Sequence, residues 1–223
     1  MSAPARSARP VGRPRANPRS LAHPPREEIL RAAGRLFAKQ GYAATSTYQI
    51  AKAAGLRQPS LFHYFARKEN ILGELLNRTL RPQLEFLQTV LAEPGRAALK
   101  LYRLIRSDVL QLLAPPYDVG AIVILPEVRP PKFKRFWAER QELIAGFEAL
   151  VRDGVREGDL ISSDPVLSAN VVFGTNEGAL GWYRRRSPHT VEEVADGIAE
   201  VSLRALLRDP AELDAIRRES SAG

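Results

Sequence analysis

Cysteine is absent from all 223 residues. Disulfides, thiolate zinc sites and cysteine nucleophiles are thereby excluded, and a reducing compartment is the natural setting. Histidine is scarce: His23, His63 and His189 lie far apart, with no His-Glu-x-x-His or similar ligand spacing. No metal site is expected. Long apolar runs are missing too. The longest, from Val119 to Leu125, falls far short of the ~20 residues that span a bilayer. The arginines of the N-terminus are not followed by the apolar stretch of a secretory signal, so a cytoplasmic protein without membrane partners is expected. No Gly-x-Ser-x-Gly, phosphate loop or Cys/His pair occurs, so neither enzyme activity nor a cofactor is expected.

What is present is positive charge, unevenly placed. Residues 1–70 carry 13 Lys/Arg against 3 Asp/Glu, whereas residues 71–223 carry 20 against 22. The net charge of +8 therefore sits entirely in the first third. Such a block is an electrostatic footprint for a polyanion. A hydrophobic fraction of 44% is enough for a core without disulfides.

The chain divides into three parts. Residues 1–24 hold Pro, Ser, Ala and five Arg, without acids or a periodic apolar face, which reads as a basic, disordered arm. Residues 25–70 form a compact patterned unit, and residues 71–223 a larger one. Nearly everything after the arm has helical periodicity, so the fold class is all-α, with nine to ten helices. They are expected near 25–40, 47–54, 58–64, 68–92 with a kink at Pro82, 95–113, 116–124, 131–157, 165–185, 190–208 and 211–219. Pro25, Glu27 and Glu28 suit a helix start, and Gly41 a helix end. Ser46 and Gln49 have capping-box spacing.

The second and third helices meet the packing needs of a helix-turn-helix. Ala51 is small enough for a close crossing, Gly55 tolerates the turn, and Ile50, Ala54 and Leu56 face inward. Leu61 and Phe65 anchor the third helix. Gln58, Ser60, His63 and Tyr64 are then left facing outward. Glutamine can read an adenine edge, while Ser, Tyr and His are typical phosphate donors. Lys68 opens the fourth helix, where its ammonium can meet a phosphate. In the arm, Arg13 and Arg15 flank Pro14, an extended pattern that fits a narrow minor groove.

The stretch from Ile29 to Leu72, ILRAAGRLFAKQGYAATSTYQIAKAAGLRQPSLFHYFARKENIL, resembles the DNA-binding domain of TetR-family transcriptional regulators. The likeness lies in the Ala-Ala-x-x-Leu-Phe-x-x-x-Gly-Tyr helix, the Ile-Ala-x-x-Ala-Gly helix and turn, and the aromatic close before Lys-Glu. It implies an N-terminal three-helix DNA-binding domain joined to a larger helical domain for effector binding and dimerisation. It implies that Ser46, Thr47 and Tyr48 lie near the DNA backbone. Arg57, Gln58, Pro59 and Ser60 would then approach the major groove, with Phe62, His63, Tyr64 and Lys68 clamping its flank. Phe62 stands where the family most often has Tyr, Tyr64 where His is common, and Thr47 at a position that is often apolar. The implied function is a sequence-specific repressor released from a palindromic operator by a small molecule. An activator, or a nonspecific architectural DNA binder, uses similar contacts.

A single recognition helix reads few base pairs, so a homodimer is expected. Gly174, Gly178 and Gly181 form a stripe for close helix approach, and Val191, Ala195 and Ile198 lie on the apolar face of the next helix; both are candidates for the dimer interface. Tyr102, Phe136, Trp137, Phe147, Phe173, Asn176 and Tyr183 are candidates for the effector pocket. Asn176 stands out as an amide amid apolar neighbours. The effector is expected to be apolar or, given Arg184, Arg185 and Arg186, an acyl thioester of coenzyme A.

Overall fold

The computed structural model describes residues 22–183 and 187–222, so Arg13, Arg15 and Arg184, Arg185 and Arg186 lie outside the described residues. The described chain folds into ten α-helices without a named strand. A lone bridge pairs Leu160 with Leu207. The helices are α1 (Pro25–Gln40), α2 (Thr47–Ala53), α3 (Gln58–Tyr64), α4 (Lys68–Ala92), α5 (Ala97–Leu113), α6 (Val119–Val123), α7 (Lys134–Glu157), α8 (Pro165–Trp182), α9 (Val191–Leu206) and α10 (Leu213–Ala222). Short 3-10 turns at Pro126–Val128 and Pro210–Glu212 complete the order.

The local signals act as their chemistry dictates. Ser46 Oγ accepts from the Gln49 N–H at 3.1 Å, and Gln49 Oε1 accepts from the Ser46 N–H at 2.8 Å. Two orphan donors are thus satisfied reciprocally. Gly55 ends the second helix with φ +72°. The Leu56 N–H returns to the Ala51 carbonyl at 2.8 Å, which sets the angle between α2 and α3.

α4 keeps its expected span, whereas the starts of α6 and α7 shift. Pro82 does not break α4, which runs through it. The proline is exposed. Pro115 and Pro116 delay α6 until Asp118, whose carboxylate caps it by accepting from the Ala121 N–H at 2.9 Å. Pro130 and Pro131 hold α7 back to Lys134, and Phe133 before it is left-handed, with φ 52°.

The long helix α5 is the hub, packed against α4, α7, α8, α9 and α10. One apolar core runs from Ile29 in α1 to Ile216 in α10. A smaller cluster joins Val109 and Leu113 of α5 to Ala179 of α8 and Val194 and Ala195 of α9. α1 packs on α2, α4 and α6, so the N-terminal helices rest directly on the larger unit. At that junction the Tyr117 ring lies over Gly34, where a Cβ would overlap the ring.

Candidate nucleic-acid interface

The anchors of the helix-turn-helix are buried: Ile50, Ala51, Ala54, Leu61 and Phe65. Burying these leaves other residues of α2 and α3 facing outward. Tyr48 is 59% exposed, Phe62 46% and Tyr64 41%. Arg57, Pro59 and His63 are also exposed, whereas Ser60 and Thr47 are half-buried. Three exposed aromatics thus stand on α2 and α3 among basic and hydroxyl groups.

Several polar groups on this face are held in position. Gln58 Nε2 donates to Thr47 Oγ1 at 2.9 Å, tying the start of α3 to the start of α2. The Gln58 carbonyl oxygen and second N–H remain for an edge-on partner. Arg26 lies 4.5 Å from the centre of the Phe65 ring and pairs with Glu74 at 3.4 Å, so α1 is pinned to the end of α3 and to α4.

Lys68 is held by groups outside its own helix. Its Nζ donates to the carbonyls of Tyr42 and Thr45, at 2.7 Å each, and lies 4.0 Å from the Tyr42 ring centre. Burial lowers its pKa, with Glu127 opposing. Two of its three donors therefore brace the turn between α1 and α2.

The larger unit departs further from expectation. Of the seven candidate pocket residues, Tyr102 and Tyr183 each border a different cavity. Tyr102, Phe136, Phe147 and Phe173 are core residues, and the Phe147 and Phe173 rings meet edge to face at 5.9 Å. Trp137 donates from its indole to the Val128 carbonyl at 2.8 Å. Tyr183 lines a cavity of about 280 Å³ with Leu112, Pro116, Tyr117 and Leu180. Asn176 is fully buried and donates to Asp108 Oδ2 at 2.7 Å. Asp108 had no place in the sequence reading. Its signal was its position: Leu101, Leu104, Ile105, Asp108 and Leu112 fall on one helical stripe.

The dimer candidates split as well. Gly174, Gly178 and Gly181 are exposed, with open space where a Cβ would stand. They share the outer side of α8 with Leu167, Val171 and Trp182, all more than half exposed. Ala195, by contrast, is fully buried against α5. Val191 and Ile198 are half-buried on the same internal cluster. The outward residues of α9 are instead Gly197, Val201 and Ala205. Periodicity alone cannot tell the inward from the outward flank of such a wide apolar face.

A helix-turn-helix with an aromatic and basic outer face, carried on a separate helical domain, defines a DNA-binding transcriptional regulator. The family described as bacterial regulatory proteins, tetR family, matches residues 29–75, and the tetracyclin repressor-like C-terminal domain matches residues 96–206. The chain belongs to the TetR family of DNA-binding regulators. It is 35% identical to Mycobacterium smegmatis AmtR, with a TM-score of 0.77, covering 92% of this chain and 98% of that one. It is 29% identical to the HTH-type transcriptional repressor KstR2 of Rhodococcus jostii, over 81% of this chain and 90% of that protein. It is 25% identical to the Fatty acid metabolism regulator protein of Bacillus subtilis, over 78% of this chain and 91% of that one. Among the described residues, no helix is long and apolar enough to cross a membrane.

Proposed function

We propose that the protein is a homodimeric, cytoplasmic repressor that leaves a palindromic operator when a small, largely apolar molecule binds its helical domain. On this reading residues 25–70 are the DNA-reading domain and residues 71–223 the effector and dimerisation domain. The observation that carries the proposal is the pairing of two unpartnered faces, the polar-aromatic face of α3 and the apolar outer face of α8. A helix apolar on all sides belongs inside a structure. α8 approaches that composition, yet Leu167, Val171 and Trp182 stand in water. A second α8, with α9 alongside, supplies the missing cover. Two α3 helices would then meet successive major grooves.

Arg57, Gln58, Pro59 and Ser60 are assigned to base edges and nearby phosphates. Ser46, Thr47, Tyr48, Phe62, His63 and Tyr64 are assigned to the backbone on either side. Repression is supported by the naming of KstR2 as a repressor, and an apolar effector by the naming of the Bacillus subtilis relative as a fatty acid metabolism regulator. The route from effector to DNA runs through α6, which packs on α1, and through Tyr117, which both lines a cavity and rests on Gly34. Coupling of ~1–3 kcal/mol changes operator affinity about 5–150-fold.

Selection of bound duplexes from a random pool, followed by affinity measurements against salt, tests the reading. A palindrome with half-sites about one helical turn or a multiple apart is expected. Binding with a steep salt slope and no preferred sequence would leave phosphate contacts alone and refute a dedicated regulator.

A further inference from the structure

Thr47 opens α2 and Gln58 opens α3. The two meet where the helix-turn-helix folds back on itself, and Gln58 Nε2 donates to Thr47 Oγ1 at 2.9 Å. Both residues are half-buried, while Tyr48, Arg57 and Pro59, their neighbours in the chain, are exposed. The core between the helices is built instead from Ile50, Ala51, Ala54 and Leu61. The Thr47–Gln58 bond therefore stands at the rim of the reading surface, within reach of what that surface binds.

The two hydroxyls at this corner are used differently. Ser46 Oγ belongs to the capping box: it accepts from the Gln49 N–H and gives its own hydrogen to Gln49 Oε1, at 3.1 Å each. Thr47 Oγ1 accepts from Gln58, so its one hydrogen is directed away from the amide. A phosphate oxygen can only accept. A phosphate beside Thr47 takes that hydrogen and keeps the threonine oxygen an acceptor, so Gln58 can answer only with an N–H. What the amide then presents outward is fixed: its carbonyl oxygen and its second N–H. That pair complements adenine, which shows an N6 donor and an N7 acceptor in the major groove. Turned over, with its carbonyl accepting from the Thr47 hydroxyl, the amide would present donors alone, which fit the O6 and N7 acceptors of guanine. The bond also orders a flexible side chain before DNA arrives, which removes that entropy loss from binding. A valine would keep the shape of Thr47 and do neither.

We propose that Thr47 is a positioning residue for base readout: held by a DNA phosphate, its hydroxyl fixes the Gln58 amide so that one position of each half-site is read as adenine rather than guanine. This rests on reading residues 25–70 as the DNA-reading domain, with Thr47 on the backbone and Gln58 on a base edge. It goes beyond that reading by coupling the two contacts. The phosphate contact, which carries no sequence information by itself, here decides which base its neighbour accepts.

The test uses the full chain. Bound duplexes are selected from a random pool with the wild type and with Gln58→Ala, and the position whose preference disappears marks the base that Gln58 reads. There the wild type should favour A·T over G·C by about 10-fold, and 7-deazaadenine, which lacks the N7 acceptor, should remove most of that advantage. Thr47→Val should lower the ratio to about 3-fold or less with preferences elsewhere in the site unchanged, and Thr47→Ser should retain it. A structural role alone would weaken binding to every duplex alike and leave the ratio where it was. In a second arm, single neutral methylphosphonate linkages are walked along each half-site. One linkage should lower the A·T to G·C ratio of the wild type and leave that of Thr47→Val unchanged. Because this arm also reads the unaltered protein, it decides the matter even where Thr47→Val does not fold. A Thr47→Val protein that keeps the full ratio overturns the proposal. So does guanine at the position Gln58 reads, a walk in which no linkage moves the ratio, or a palindrome in which Gln58→Ala changes no base. Those results leave the regulator reading standing; failure to recover any preferred sequence removes both.

Discussion

The two units of the molecule treat polar groups in opposite ways. In the N-terminal unit they lie at the surface or are bonded: Ser46 to Gln49, Gln58 to Thr47, and Lys68 to two carbonyls. In the larger unit, Gln83, Asp108 and Asn176 are buried and only partly bonded, while the outer side of α8 puts Val171 and Leu167 in water. The first unit is internally complete and needs only DNA as a partner. The second is incomplete twice over, inside and outside. Incompleteness of that kind costs stability and is retained where binding makes up the difference.

The comparison breaks most readily at Leu61. Leu61→Ala removes a fully buried anchor and should cost about 2–5 kcal/mol in urea unfolding, with loss of operator binding. A stable Leu61→Ala protein that still binds operator would show that α3 is not fixed from within. Next is the outer face of α8. Val171→Asp should convert dimer to monomer in sedimentation and lower operator affinity by about 100-fold or more, since one half-site contact is lost. A Val171→Asp dimer of unchanged affinity would assign the dimer face elsewhere.

Lys68→Met separates brace from phosphate clamp. As a brace, Lys68 contributes about 1–3 kcal/mol of stability, and its loss should leave the salt dependence of DNA binding unchanged. A phosphate contact would instead reduce the salt slope by about 1.

Asp108 sharpens the comparison through pH. Its folded-state pKa is raised to about 7, above the usual carboxylate range. Between roughly pH 4 and 7 the unfolded chain has released this proton while the folded chain keeps it. The unfolded state binds fewer protons, so this group makes stability fall as pH rises through that window, by at most about 1.4 kcal/mol per unit, and level off above it. Urea titrations from pH 5 to 8 should show the slope in the wild type and not in Asp108→Asn. The smallest effect is expected at the cap: Ser46→Ala should cost about 1 kcal/mol, read as a lower Tm with the salt slope unchanged.

The sequence carried most of the N-terminal unit because its signals are local. A serine three residues before a glutamine, a glycine after Ala54 and a leucine at the anchor position act over one or two turns, and α3 and α4 begin and end where they predict. The larger unit depends on which flank of an apolar helix meets which neighbour, and that is decided by partners distant in sequence. Ala195 and Val201 both fit the apolar pattern of α9, yet one is fully buried and the other 70% exposed. Asp108 and Asn176 are 68 residues apart, and neither identifies the other. The bracing contacts of Lys68 are hidden for the same reason: its partners, Tyr42 and Thr45, lie across a turn rather than along its own helix.

The packing of α5 against α9 also has a consequence in time. Arg106 pairs with Asp196, and Val109 packs with Val194 and Ala195, across 85–90 positions of chain. Contacts within the first four helices reach 51 positions, between Glu27 and Arg78, and shorter loops close sooner. A chain made from its N-terminus therefore completes its DNA-reading surface early. The support for α8, and with it the ability to pair, is finished only after α9 has emerged. If α8 is the pairing face, as proposed, each newly made molecule has a reading head before it can span two half-sites.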